Sequence, residues 1–138
     1  MRWMLDTNTC IALIKGAPDR ALKKLRGRSI GQVGLSSITL AELQFGVARS
    51  QRARDAAAAL SEFLLALEVA PFDDGAALHY GRVRATLARS GKPIGPLDTL
   101  IAGHALAMDV ILVTPNTREF ERVAGLRIDD WLRPARKS

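Results

Sequence analysis

Short apolar runs recur along this chain, each followed by a polar turn and then by a stretch whose apolar residues return every three or four positions. Trp3-Met4-Leu5, Gln32-Val33-Gly34-Leu35 and Val110-Ile111-Leu112-Val113 are the runs. Their length and side chains suit strands buried on both faces of a parallel sheet. Asp6-Thr7-Asn8, Ser36-Ser37 and Thr114-Pro115-Asn116 are the turns, and each offers side chains able to cap a helix. Helical periodicity follows over residues 10–14, 20–25 and 38 to about 48, and an Ala- and Leu-rich stretch over 51–67 places Leu60, Phe63, Leu64 and Leu67 at core spacing. Leu67-Glu68-Val69-Ala70 reads as a short edge strand closed by Pro71. Asp73-Asp74 opens a helix carrying Ala77, Leu78, Gly81, Val83 and Leu87. The loop Gly91 to Gly95 enters another helix near Pro96, and a last strand is expected around Arg127-Ile128. Alternating strands and helices predict an α/β fold, a parallel sheet with helices on both faces and right-handed crossovers.

Composition narrows this picture without redirecting it. A chain of 138 residues, 48% hydrophobic, fits one domain over 1–138 with a substantial core. Cys10 is the only cysteine, so no internal disulfide forms; it falls in an apolar helical pattern and reads as a small buried side chain in a reducing compartment. Asp6 interrupts any leader-like N-terminus, and no apolar run is long enough to span a bilayer, so the expectation is a soluble, cytoplasmic protein. Twenty Lys and Arg oppose fourteen Asp and Glu, a net charge of +6. That excess favours polyanionic partners, nucleic acid first. It is spread over Lys23, Lys24, Arg26 and Arg28, over Arg49, Arg52 and Arg54, over Arg82 and Arg84, and over the tail Arg133, Arg136 and Lys137, most of which read as solvated faces.

The candidate chemistry is acidic. Asp6 ends the first apolar run, at the sheet edge where ligands bind in open α/β folds; the competing reading is an N-cap. Glu42 has Ile38 four residues before it and Phe45 and Gly46 three and four after, so it shares a face with apolar neighbours. A carboxylate on a core-facing stripe is costly unless paired or bound to metal. Asp98 enters in a first helical turn with Ile101, Ala102 and Ala105 behind it, where the helix dipole alone would account for it. Asn116 ends the 110–113 run as Asp6 ends the first, and its spacing to Glu119 matches a capping box. Asp73-Asp74 reads as a cap, and His79 and His104 as structural.

A parallel sheet makes Asp6 and Asn116 neighbours and lets Glu42 and Asp98 converge on them. Several carboxylates at close range need a cation to stay charged. Oxygen ligands without a His or Cys cluster point to magnesium or manganese rather than zinc. On a basic protein such a site suits metal-assisted phosphodiester cleavage, with Thr7, Asn8 and Asn116 orienting bound water.

Met4-Leu5-Asp6-Thr7-Asn8, Ser37-Ile38-Thr39-Leu40-Ala41-Glu42-Leu43, the loop Gly91 to Gly95 with Asp98-Thr99-Leu100-Ile101-Ala102, and Thr114 to Phe120 with Gly125-Leu126 and Asp130-Trp131 form an ordered set over nearly the whole chain. In that set the chain resembles PIN-domain ribonucleases, and within them the VapC toxins of type II VapBC toxin–antitoxin systems. The resemblance implies a three-layer α/β/α domain with a parallel, roughly five-stranded sheet. It implies a magnesium- or manganese-dependent endoribonuclease, homodimerisation, and inhibition by a small VapB antitoxin that inserts a segment into the active-site groove. By position it gives Asp6, Glu42, Asp98 and Asn116 catalytic places, with Asp6, Asp98 and Glu42 as metal ligands. Asn116 departs from the fourth acid of many PIN domains, though related VapC toxins commonly have Asn; Pro115 is a second local difference. The neutral residue argues against a stable second metal, and Glu119 is the candidate substitute. The stretch from Leu5 to Ile11 is also similar to enteric VapC toxins that cut initiator tRNA, which makes tRNA one expected substrate. Two other readings stand beside this one. An aspartyl-phosphate phosphatase resembles Asp-x-Asp at this site, where the chain has Asn8. A non-catalytic module would bind RNA or a partner and use the acids as caps.

Overall fold

The computed structural model describes residues 1–16 and 18–134, so Arg136 and Lys137 of the basic tail lie outside the described residues. Twelve elements follow in order: β1 (Trp3–Leu5), α1 (Thr7–Ile14), α2 (Asp19–Arg26), β2 (Val33–Ser36), α3 (Ser37–Ala48), α4 (Ala53–Leu64), β3 (Glu68–Ala70), α5 (Asp74–Arg89), α6 (Pro96–Met108), β4 (Ile111–Val113), α7 (Thr117–Phe120) and β5 (Ile128–Asp129). The strands form one sheet in the order β3-β2-β1-β4-β5, parallel throughout. This is the five-stranded α/β/α arrangement expected from the sequence.

Strand alternation builds the layers. Met4 and Leu112 point to one face, where they meet Val83, Leu87, Ile101, Ala102, Ala105 and Phe120 of the later helices. Leu5 and Val113 point to the other, among Cys10, Leu13, Ala21, Leu43, Leu60 and Trp131. A three-residue strand thus anchors both halves of the core.

Two boundaries differ from the sequence pattern for local reasons. Val110 opens the apolar run but does not join the sheet: its N–H still bonds to Ala105 O, where Asp109 ends α6 in the left-handed region at φ 53°. Leu78 and Phe45 are exposed, 53% and 64%, so the apolar stripes of α5 and α3 are narrower than their periodicity suggests. Leu78 and Phe45 therefore do not belong to the core.

The sheet order decides where a ligand can sit. Crossovers from β1 run to β2 and β3 on one side, and the chain later returns to β4 and β5 on the other. The carboxyl ends of β1 and β4 flank the switch point, the crevice that open α/β sheets use for binding. Asp6 N–H donates to Val113 O at 2.9 Å and Thr9 Oγ1 to the same oxygen at 3.1 Å, locking these two ends together.

Helices α5 and α6 pack closely at Gly103, where an added Cβ would lie 2.6 Å from Tyr80 N and 2.7 Å from Tyr80 Cα. The obstacle is backbone, so no side chain can swing away. Gly103→Ala is expected to destabilise the fold by about 1–3 kcal/mol, the range for overpacked cores. Urea unfolding of the two proteins checks this, and an unchanged midpoint would show that the helices separate without cost.

Candidate active site

Each acid reaches the switch point from a different element. Asp6 follows β1, caps α1 by accepting from Thr9 N–H at 2.8 Å, and is only 3% exposed. Glu42 comes from the second turn of α3, and Thr7 Oγ1 donates to its Oε1 at 2.7 Å. Asp98 sits in the first turn of α6, after the Pro96 start, beside Gly95. Asn116 leads into α7 and turns its amide onto Glu119 Oε2, while Glu119 Oε1 accepts from Gly95 N–H at 2.8 Å. Glu119 is therefore clamped between two neutral donors, one from each side of the cleft.

These groups are close enough to change one another's ionisation. Burial, then the hydrogen bond and charge of Glu119, then the charges on Asp6 and Glu42, raise the Asp98 carboxyl from 3.8 to about 7. Burial raises Asp6 as well, against the hydrogen bonds from Thr114 and Thr9, with Glu42 adding to the rise. Glu119 moves the other way. Burial works to raise it, but Gly95 N–H, the Asp98 proton, the Asn116 amide and Arg122 together outweigh that and hold it low. Asp98 and Glu119 thus titrate as an interacting pair, with Asp98 pushed up and Glu119 held low.

Among the described residues none of these four acids is ion-paired with Lys or Arg. An acidic cleft without a cationic partner is the condition that a hard divalent cation relieves. The carboxylates are not already gathered around one point: no three His, Cys, Asp or Glu side chains among the described residues form a ready metal cluster. Magnesium keeps several waters and takes few direct protein ligands. The donor set fits such an ion.

A family model described as PIN domain matches residues 3–126. The chain belongs to the PIN-domain family. Curated relatives of this PIN domain include the tRNA(fMet)-specific endonuclease VapC of Shigella flexneri, 45% identical over 131 residues that cover 95% of this chain and 98% of that one. Ribonuclease VapC2 of Haemophilus influenzae is 39% identical over 96% of this chain and 99% of its own. Among solved structures, the DNA-bound VapBC of Salmonella typhimurium superimposes with a TM-score of 0.91 at 44% identity, covering 95% of this chain and 98% of that one.

The structure brings Asp6, Glu42, Asp98 and Asn116 of the PIN domain to one sheet edge. It corrects two readings of the sequence. Glu42 does not lie on a core-facing stripe, since Phe45 and Gly46 beside it are exposed; its contact is Thr7, thirty-five residues away. Asn116 and Glu119 form no capping box: Asn116 N–H donates to Thr114 Oγ1, its side chain makes no cap, and Glu119 reaches Gly95. Gly95 itself gave no sequence signal beyond a turn. Asn8 is exposed and His104 is buried, its Nδ1 2.8 Å from Ser36 Oγ and its ring edge-on to Phe72, which is a structural role.

The Asp98 proton gives a stability test with a definite sign. Its folded pKa, about 7, lies above the ordinary 3.8, so the folded state holds the proton more tightly. That contribution is complete below the ordinary value and is lost as pH rises through the folded one. Metal-free protein is expected to lose stability as pH rises from about 4 to about 7 by more than Asp98→Asn does. Denaturant titrations across that range read the difference, and parallel curves would mean that Asp98 ionises normally.

Proposed function

We propose that this chain is a single PIN domain acting as the ribonuclease toxin of a type II toxin–antitoxin pair, in the cytoplasm where its RNA substrate is found. The observation that carries the reading is the set of four acids at the switch point of a strongly basic protein, none of them ion-paired among the described residues. The relatives' names support RNA hydrolysis, and two of them, from Shigella flexneri and Salmonella typhimurium, are named for tRNA(fMet). Initiator tRNA is accordingly the proposed substrate. The solved VapBC complexes support a cognate VapB-type antitoxin as partner, and the same family reading proposes a homodimer.

A magnesium or manganese ion, held by Asp6, Glu42 and Asp98 with Glu119 beside them, would supply an activated water and offset charge at the scissile phosphate. The chain's own residues do the positioning. Thr9 N–H fixes Asp6, the Thr7 hydroxyl fixes Glu42, and Gly95 N–H and the Asn116 amide fix Glu119. All are neutral donors, so they orient carboxylates without competing for them. Asp98, raised to about 7, would ionise more readily beside a bound cation, so affinity is expected to rise with pH through neutrality. Asn116, uncharged, orients its neighbour and takes no metal.

Incubation of purified protein with total small RNA, with manganese and with chelator, tests this reading. Wild type is expected to give discrete metal-dependent products; Asp6→Asn and Asp98→Asn, folded, give none, and Glu119→Gln slows cleavage by about 10–100-fold. Cleavage that survives Asp98→Asn or chelation would refute the metal-dependent mechanism.

A further inference from the structure

The short helix α7 separates two surfaces of opposite charge. Glu119 faces the acids, while Arg118, Glu121 and Arg122 turn to a pocket of about 460 Å³ that they line with Thr86, Ser90 and Lys92 from the end of α5 and the loop after it. Three cations meet one carboxylate there. Among the described residues none of the four is ion-paired. Arg122 Nη1 donates to Pro93 O at 3.2 Å, which holds its guanidinium at the pocket wall and leaves its remaining N–H groups free. Thr86 Oγ1 accepts from Arg89 Nη2 at 3.4 Å and so keeps its hydroxyl proton to donate, whereas Ser90 spends its own on Leu87 O at 3.0 Å.

We propose that this pocket seats a backbone phosphate of the RNA strand close to the bond being cut. Guanidinium forks, an ammonium and a hydroxyl donor are the groups that recognise a phosphodiester. A carboxylate-bearing peptide would also meet the charge, but the pocket adjoins the acid cleft through Arg118 and Arg122 beside Glu119, which favours the polyanionic strand that the cleft would cut. The two sites share walls: Arg118 adjoins Glu119, the charge on Arg122 reaches Glu119, and Arg122 grips the loop two residues before Gly95, whose N–H holds Glu119. Seating a phosphate here pulls the strand against the carboxylates that would otherwise repel it. The inference rests on the ribonuclease reading for the identity of the strand, and positioning rather than chemistry is the role assigned to Lys92 and Arg118.

The test uses full-length protein carrying Lys92→Gln with Arg118→Gln. Both side chains are exposed and make no recorded hydrogen bond, so the fold should persist, which circular dichroism checks. Binding of fluorescently labelled bulk tRNA is measured in chelator over a range of salt, and single-turnover cleavage separately with manganese. The double variant is expected to bind roughly tenfold more weakly, with a salt slope shallower by about one, and to cleave at an unchanged rate at saturation. Arg52→Gln with Arg54→Gln removes equal charge from α4 and is expected to leave binding within twofold of wild type. Equal weakening by both pairs would mean net charge alone acts and overturns the pocket. Unchanged affinity and slope in the Lys92 and Arg118 variant, with wild-type cleavage intact, overturns the pocket and leaves the ribonuclease standing. Wild type that binds through these residues but never cuts removes the ribonuclease and keeps the pocket. Wild type that neither binds nor cuts overturns both.

Discussion

Repulsion among Asp6, Glu42, Asp98 and Glu119 is the constraint around which the molecule is built. Four carboxyl groups facing one cleft oppose folding, and among the described residues none of them is ion-paired with lysine or arginine; only the charge on Arg122 reaches Glu119. It restrains them with backbone N–H groups, threonine hydroxyls and one amide, and lets Asp98 keep a proton. A basic side chain in the cleft would have lent stability and closed the site to a metal. Under the proposed reading, that repulsion is the cost of leaving room for a cation, a common exchange of stability for function.

The scaffold answers that repulsion with rigidity where the acids are rooted. Met4 and Leu5 bury themselves on opposite faces of the sheet, so β1 is held from both sides one residue before Asp6. Thr9 bonds across to β4 through Val113 O, fixing the two strand ends on either side of the switch point. Asp98 springs from α6, which packs backbone to backbone against α5 at Gly103. None of these anchors can shift to let the carboxylates drift apart. Side chains set on strand ends and packed helices keep their geometry better than side chains carried on loops.

The layers and the parallel sheet were legible because short apolar runs and capped helices are local patterns; the full order of strands, β3-β2-β1-β4-β5, was not, because it is set by pairings between distant segments. Asp6 was legible for the same reason, as the first polar residue after a buried strand. Glu42 was singled out through an apolar stripe that Phe45 and Gly46 do not form; what holds it is Thr7, a contact that no periodicity within α3 encodes. Glu119 was obscured by a local pattern that fitted. Its spacing to Asn116 satisfies a capping box, and only the fold brings Gly95 within reach of the carboxylate. Contacts between residues far apart in sequence decide the finer geometry, and spacing cannot report them.

Asn116 then ceases to be an irregularity. An Asp there would lack the amide proton that holds Glu119 and would set a fifth charge against it, beside an Asp98 already pushed up to about 7. With Glu119 in the first turn of α7, a neutral donor at Asn116 is what the arrangement requires. Arg118 of α7 and Arg122, just past its end, line a basic pocket beside Glu119, so that this short segment divides an acidic cleft from a basic pocket. A strand of RNA lying across that divide would face cations on one side and the acids on the other, so the segment that carries Glu119 would also hold the substrate beside it.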